Sequence, residues 1–320
     1  VPDVTVTVVV PVFRGEPTIE ELVARTIRAS ATRGWTLAEV ILVDDHSPDG
    51  SWPVINRLAG QYSEVRGVSL ARNAGQHAAL LAGMSCAEGD VIVTMDDDLQ
   101  HRPEEISSLL DALGDDVDLV YGRARTEEHG WARNATSRVG KRFIGLAADS
   151  EFVKDISGFR AFRSWLVPAL LRQSSRHPSV DVPLLWCTSR VVVAEVQMDK
   201  RMHGSSNYSV GMLFRHASTM LLGYSTVPLR AVSYAGVILG VVGAALLAYV
   251  LISFWIYGSS VPGFAFIGSM IALFSGVQLL AIGVIGEYLA RLYGSSIGRP
   301  LFAIREVAGG TAGGDDDRLG

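Results

Sequence analysis

The stretch VIVTMDDDLQ, residues 91–100, ends an apolar run in three adjacent carboxylates, Asp96, Asp97 and Asp98. Acids at this spacing suit a divalent cation, because Mg²⁺ or Mn²⁺ prefers a few carboxylate oxygens plus substrate phosphates to an all-protein cage. Along an extended chain alternate side chains share a face, so Asp96 and Asp98 point one way, with Gln100 continuing the row, and Asp97 points the other. Without a cation or a basic neighbour the three acids repel one another and some of their pKa values rise. A solvated acidic loop before a helix starting at Pro103, with Glu104 and Glu105 in its first turn, fits the tripeptide as well. The same letters recur at Asp315–Asp317, in a Gly-rich tail, so context has to decide.

Strand-like apolar runs occur at 4–10, 40–43, 65–70, 91–95 and 119–121, with helical patterns between them, and that alternation predicts a parallel sheet. Ile19, Leu22, Val23 and Ile27 fall on one face of the first helix, and Thr18 with Glu21 suggests a capping box at its start. A further helix is expected from Ser51, with Pro53 in its first turn. In an open parallel sheet ligands bind beyond the carboxyl ends of the strands. Those ends carry Phe13 to Glu16, Asp44 to Ser47, Arg72 with Asn73, and Asp96 to Gln100. No GxGxxG follows the first strand and no GxxxxGK[ST] occurs, so the usual backbone cradles for phosphate are missing and a cation on carboxylates takes their place.

Between Ala231 and Gly286 there is no charged residue. Ala231 to Tyr257 would span roughly 40 Å as a helix, enough for a hydrocarbon core of about 30 Å. A second apolar run covers about Phe264 to Ile285, and the glycines and proline of GSSVPG, residues 258–263, allow a reversal between the two. Arg215 and Arg230 precede this hairpin, Arg291, Arg299 and Arg305 follow it, and the turn is uncharged, so both ends are expected in the cytoplasm. Trp255, Tyr257 and Tyr288 suit interfacial anchoring, and Gln278, the one strongly polar side chain inside a span, is expected to bond the other helix. VGMLFRHASTMLLGYS, residues 210–225, is amphipathic and reads as a helix lying in the membrane interface.

The chain of 320 residues, 48% hydrophobic and 19% charged, is long enough for a full catalytic domain. A net charge of -5 and the lack of a long Lys/Arg block exclude nucleic acid as a partner. Cys86 and Cys187 stand far apart without CxxC spacing and are expected to be buried small apolar residues. VPDVTVTVVVPVF has no basic region or cleavage site of a signal peptide and reads as a first strand. Asn134-Ala135-Thr136 and Asn207-Tyr208-Ser209 match the N-glycosylation pattern by chance if the domain is cytoplasmic.

Taken in order, VVVPVFRGE (8–16), VDDHSPDGS (43–51), LARNAGQHAAL (70–80), MDDDLQHRPEEI (95–106), SGFRAFR (157–163), RMHGSSNYS (201–209) and GEYLARLYG (286–294) resemble the family 2 glycosyltransferases of GT-A fold. The resemblance is to their polyprenyl-phosphate branch, which includes dolichyl-phosphate mannose synthases and bactoprenyl-phosphate glucosyltransferases. It runs to about residue 307, and it implies transfer of a sugar, with inversion, from a UDP- or GDP-linked nucleotide-sugar donor to a polyprenyl phosphate acceptor.

By that resemblance Pro11, Phe13, Glu16, Asp44, Asp45 and Asp96 line the nucleotide pocket, and Asp96, Asp98 and Gln100 hold Mg²⁺ or Mn²⁺ against the diphosphate. Asp96, Asp98, Arg123 and Arg201 are then the catalytic set, and Arg123, Arg133, Arg138, Arg201 and Ser206 grip the lipid phosphate. Arg125, Lys141 and Arg142 suit anionic headgroups. Ser157-Gly158-Phe159-Arg160 is similar to the SGFR segment of the mannose-synthase branch, with Asp155 just upstream.

The expected architecture is an α/β GT-A (Rossmann-like) domain with a mostly parallel sheet over 1–209, an interfacial helix over 210–228, and transmembrane helices over 229–258 and 263–290. A cytoplasmic tail, disordered at its end, follows over 291–320. The lipid bilayer is the expected partner, the location a bacterial-type cytoplasmic membrane, and several hairpins could pack as a homo-oligomer. A processive polysaccharide synthase would share the fold and metal site but bring a QxxRW pattern and more spans. A membrane-anchored nucleotide-binding scaffold would need neither Asp96 nor Asp98.

Overall fold

The computed structural model describes residues 4–33, 35–125, 155–172, 179–199, 227–257, 263–297 and 300–310. β1 (Thr5–Val12) is a β-branched run buried almost throughout, as a central parallel strand covered on both faces must be. α1 (Ile19–Arg33), β2 (Thr36–Asp44), α2 (Ser51–Gln61), β3 (Val65–Leu70), α3 (Gln76–Ser85) and β4 (Val91–Thr94) follow. A 3₁₀ turn at Pro103–Glu105 leads into α4 (Ile106–Ala112), then β5 (Leu119–Ala124), β6 (Arg160–Arg163), α5 (Val167–Leu171), α6 (Asp181–Cys187) and β7 (Val191–Val196).

Two long helices, α7 (Val227–Tyr257) and α8 (Phe264–Ser296), precede the last strand, β8 (Ile304–Gly309). The eight strands form one sheet in the order β7-β5-β6-β4-β1-β2-β3-β8. Alternate residues of β1 feed opposite cores. Val8 and Val10 pack with Leu22, Ile55 and Leu109 from α1, α2 and α4. Val9 packs with Leu81, Leu170 and Leu184 from α3, α5 and α6.

Three features differ from the sequence reading. β6, a strand absent from the runs read in the sequence, lies between β4 and β5 and is antiparallel to both. The chain stays in the sheet two residues past Val307, and residues 311–320 lie outside the described residues. β8 runs antiparallel along β3, with Ile304 opposite Leu70 and Gly309 opposite Arg66, satisfying backbone groups that an open sheet edge would leave unpaired. The glycines that suggested disorder serve this pairing, since Gly309 has φ +72° and a Cβ there would lie 2.5 Å from the Val65 carbonyl oxygen. Cys187, expected to be buried, is exposed, and Cys86 is half-buried.

The helix starts agree with expectation at Ser51 and Pro103. At α1 the expected capping box is replaced: the Thr18 hydroxyl donates to the Gly15 carbonyl at 3.0 Å, and Glu21 lies 3.7 Å from Arg25. Within α7, Val232–Ser253 has a mean hydropathy of 2.5 and none of it is buried, and Phe274–Ala290 of α8 is a shorter apolar stretch. The two helices meet where Gly243 faces the Phe274 ring. Gln278, expected to bond the neighbouring span, is exposed. The segment from 200 to 226, with most of the expected interfacial helix, lies outside the described residues, as do both glycosylation patterns and Asp315–Asp317.

Candidate active site

The site is built on the carboxyl ends of β1, β2, β3 and β4, around a cleft of about 930 Å³. Pro11, Phe13, Asp45, Asn73, Gln76, Asp96, Asp97 and Asp98 all line it. Alternation along an extended chain does not apply here, because β4 stops at Thr94 and residues 97–98 form a turn. Leu99 adopts φ +60°, a left-handed conformation that costs a leucine about 1–2 kcal/mol, and its side chain is 2% exposed in the core. Burial of that side chain, Gln100 N–H donating to Asp98 Oδ1 at 3.1 Å, and Asp199 N–H donating to the Gln100 carbonyl at 2.9 Å hold the turn. The curl brings all three aspartates to the cleft, so Asp97 is not turned away from it.

Each carboxylate has its own setting. Gln76 Nε2 donates to Asp96 Oδ1 at 2.6 Å, and a Cβ on Gly158 would stand 3.3 Å from both Asp96 oxygens. Asp97 Oδ2 accepts the Phe13 N–H at 3.2 Å and lies where a Cβ on Gly15 would come within 2.6 Å, so a side chain at position 15 would have to displace this carboxylate. Burial pushes the Asp97 carboxyl up to about 7, Asp96 and Asp98 push the same way, and the Phe13 N–H opposes them. Asp45 accepts from the Ala74 and Gly75 N–H groups at 2.6 and 2.9 Å, which fixes the loop entering α3, and burial still raises its pKa. His101 accepts the Asp96 N–H on Nδ1 at 3.2 Å and stacks on Phe159, and burial lowers its pKa.

Glu16 and Asp44, expected in the nucleotide pocket, do not line the cleft. Glu16 accepts the Gly50 N–H at 2.9 Å and Asp44 the Ser47 N–H at 3.1 Å, so both brace the loop between β2 and α2. Arg123, at the carboxyl end of β5, is half-exposed and pairs with Asp155 at 3.1 Å and Glu195 at 3.4 Å. Arg133, Arg138, Arg201 and Ser206 lie outside the described residues, with Lys141 and Arg142.

The strand-end rule singled out Asn73 but stopped short of Gly75 and Gln76. The signal was the start of α3 directly after LARNAG, which points its first side chain at Asp96. Behind the cleft, buried Arg160 donates from Nε to Thr94 Oγ1 at 3.0 Å and pairs with Asp181 through Nη1. The Thr94 hydroxyl donates to the Gly158 carbonyl at 2.7 Å.

The donor set fits a hard divalent cation that brings further ligands with it. Three carboxylates face one cleft, and burial with their mutual repulsion raises the Asp97 carboxyl to about 7, a proton affinity that a bound cation would lower. Among the described residues no group of three or more His, Cys, Asp or Glu side chains could hold a metal alone, so substrate oxygens would complete the sphere, as Mg²⁺ and Mn²⁺ allow.

Asp97 gives a prediction for the metal-free protein. Its carboxyl keeps a proton to about 7 when folded but loses it near 4 when unfolded, so stability present at low pH is lost as pH rises through about 7. Asp97→Asn keeps an acceptor for the Phe13 N–H and should stabilise the chelated protein by about 1–3 kcal/mol at pH 8 and by much less at pH 5. Thermal unfolding at the two pH values in chelator checks this; an equal gain at both would be the contrary result.

The sequence profile described as glycosyl transferase family 2 matches residues 7–166. An undecaprenyl-phosphate 4-deoxy-4-formamido-L-arabinose transferase of Proteus mirabilis is 32% identical over 309 residues, covering 95% of this chain and 94% of the relative. The protein of the same description from Pseudomonas aeruginosa (strain LESB58) is 34% identical over 321 residues, covering 96% and 91%. Among solved structures, glucosyl-3-phosphoglycerate synthase of Mycobacterium tuberculosis with phosphoglyceric acid superposes with a TM-score of 0.52 at 21% identity, over 69% of this chain and 80% of that one. The same synthase with Mn²⁺, uridine-diphosphate-glucose and phosphoglyceric acid gives 0.51, at 21% identity and the same coverage. At that identity the likeness speaks for a shared GT-A type fold.

Proposed function

Because the chain belongs to glycosyl transferase family 2, we propose that it moves a sugar from a UDP- or GDP-linked donor to polyprenyl phosphate, with inversion, at a membrane surface. The observation that carries this reading is the trio Asp96, Asp97 and Asp98 facing one cleft at the end of β4. The relatives described as undecaprenyl-phosphate sugar transferases, matched over nearly their whole length, supply the acceptor class.

Asp96 and Asp98, with Gln100, would hold Mg²⁺ or Mn²⁺. When bound, such a cation neutralises charge that develops on the leaving diphosphate. Pro11, Phe13 and Asp45 line the donor end of the cleft, and Gln76 keeps Asp96 oriented. A lipid monophosphate is already anionic near neutral pH, since its second pKa is about 6, so the chain has to position the acceptor more than activate it. Arg123, Arg133, Arg138, Arg201 and Ser206 are proposed to bring it in. In the described fold Arg123 is engaged by Asp155 and Glu195, which the arriving phosphate would displace.

The membrane hairpin is supported by chain path. The chain leaves the sheet before α7 and returns to the same sheet as β8, so any membrane crossed in between is crossed an even number of times. The return is at the catalytic edge: Ala71 N–H donates to the Ala303 carbonyl, and residues 297–303 span at most about 24 Å from the end of α8. On this reading the cleft lies on the side of the sheet to which the hairpin returns, near the bilayer that holds the lipid acceptor, and the Arg residues flanking the hairpin support a cytoplasmic domain. Gln278, exposed on α8, is costly in hydrocarbon and supports association of several hairpins.

The test uses the full chain in lipid nanodiscs with Mg²⁺ or Mn²⁺, undecaprenyl phosphate and a panel of labelled UDP and GDP sugars that includes 4-deoxy-4-formamido-L-arabinose. Label in a lipid product is the expected outcome. Label confined to polymer would replace this reading with a processive synthase, and neither product nor donor binding would leave a scaffold.

A further inference from the structure

The β4–β6 ladder ends with Thr94 opposite Arg160. Met95 donates its N–H towards β1, to the Val9 carbonyl at 3.3 Å, and the Asp96 N–H comes one residue further on, beyond the last strand pair. There the Gly158 carbonyl is taken by the Thr94 hydroxyl and the Phe159 carbonyl by the Gly122 N–H. The Asp96 amide is met instead by a side chain from its own loop, His101 Nδ1. His101 is buried, its ring lies 5.2 Å from that of Phe159 at an interplanar angle of 14°, and its backbone forms a bridge to Met198. Accepting on Nδ1 places the ring proton on Nε2.

We infer that His101 is a positioning residue for the reaction proposed above. Its Nδ1 lone pair substitutes for the missing strand partner of Asp96 and fixes the direction of that carboxylate towards cation and donor diphosphate. Gln76 steadies one Asp96 oxygen, the missing side chain at Gly158 leaves the carboxylate its place, and His101 pins the backbone that carries it. Support of this kind behind a ligand is worth about 10–100-fold in metal affinity where it has been removed from other sites.

The inference rests on the metal and donor reading of the cleft, and the experiment separates the two. His101→Phe keeps an aromatic ring against Phe159 but offers no acceptor. His101→Asn keeps an acceptor where Nδ1 stands but loses the ring. Phe159→Leu loses the stack and leaves the acceptor. Mn²⁺ binding in the presence of UDP or of GDP, followed by electron paramagnetic resonance on the full chain well below each variant's unfolding temperature, is measured beside transfer kinetics and amide exchange of residues 95–98.

The expected result is a roughly tenfold or greater loss of Mn²⁺ affinity in His101→Phe, with faster exchange at Asp96. His101→Asn and Phe159→Leu should stay within about threefold of the parent whatever they lose in stability. Unchanged Mn²⁺ affinity in His101→Phe, or a loss in His101→Asn as large as in His101→Phe, would overturn the inference. If His101→Phe does not fold, a full loss in His101→Asn does the same. If the parent itself binds no Mn²⁺ with either UDP or GDP, the reading of the cleft has failed instead.

Discussion

Asp98→Asn should lower sugar transfer by about 100-fold or more, while Asp317→Asn, in the second run of three aspartates, should leave it unchanged. The first expectation rests on placement: Asp98 sits on the turn closing the cleft, and its Oδ1 takes the Gln100 N–H. Asn can still accept that bond, so the loop should survive. What is lost is the negative charge that would hold a divalent cation where charge develops on the leaving diphosphate, and loss of one such stabilising contact costs about 10²–10³ in rate. Asp317 shares only its letters, lying beyond the last strand, β8, which ends at Gly309. The measurement is initial rate against Mn²⁺ concentration for both variants. Equal rates at saturating metal would remove Asp98 from the metal site, and a fall in Asp317→Asn would show that the tail acts in the reaction.

β1 to β4 were legible apart from their helices because they are short, largely buried runs, rich in β-branched residues in β1 and β4, bounded by polar strand ends. That pattern also led to Phe13, Asp45, Asn73, Asp96 and Asp98, since side chains at strand ends are placed by the sheet itself. Three things were illegible for one reason: they depend on contacts distant in sequence. β6 is four residues with an arginine at each end, and Arg160 makes sense inside a sheet only beside Thr94 and Asp181. β8 is a strand only because β3 offers it an edge. Asp97 faces the cleft only because Leu99, anchored in the core, accepts a left-handed turn that neither propensity nor alternation would assign to a leucine. Glu16 and Asp44 also stand at strand ends, and there they accept backbone N–H groups of the loop between β2 and α2.

Asp181→Ala should destabilise the domain by about 3–5 kcal/mol, the cost of breaking a buried ion pair and leaving one charge without its counter-charge. Arg160 is 2% exposed, and Asp181, at the start of α6, is its carboxylate partner and also accepts from the Tyr121 hydroxyl at 3.3 Å. For a domain of this size that corresponds to a fall of roughly 10 °C in unfolding temperature. Stability and function can then be parted. Replacing the group together, Arg160→Met with Asp181→Leu and Tyr121→Phe, removes the buried charges and should recover most of the lost stability, because apolar groups of similar volume often substitute for a buried pair at little cost. The guanidinium that donates to Thr94 Oγ1 is gone in that variant, so the hydroxyl no longer has a fixed reason to point at the Gly158 carbonyl. A Cβ at Gly158 would stand 3.3 Å from both oxygens of Asp96, so the path of this segment sets the space that carboxylate has. Transfer should therefore stay depressed, with the loss in kcat rather than in stability, although no substituted residue lines the cleft. Measured as unfolding temperature beside kcat and donor KM, full recovery of both would make the buried pair a stabilising element alone. Recovery of the first without the second ties the interior of the sheet to the direction of one carboxylate.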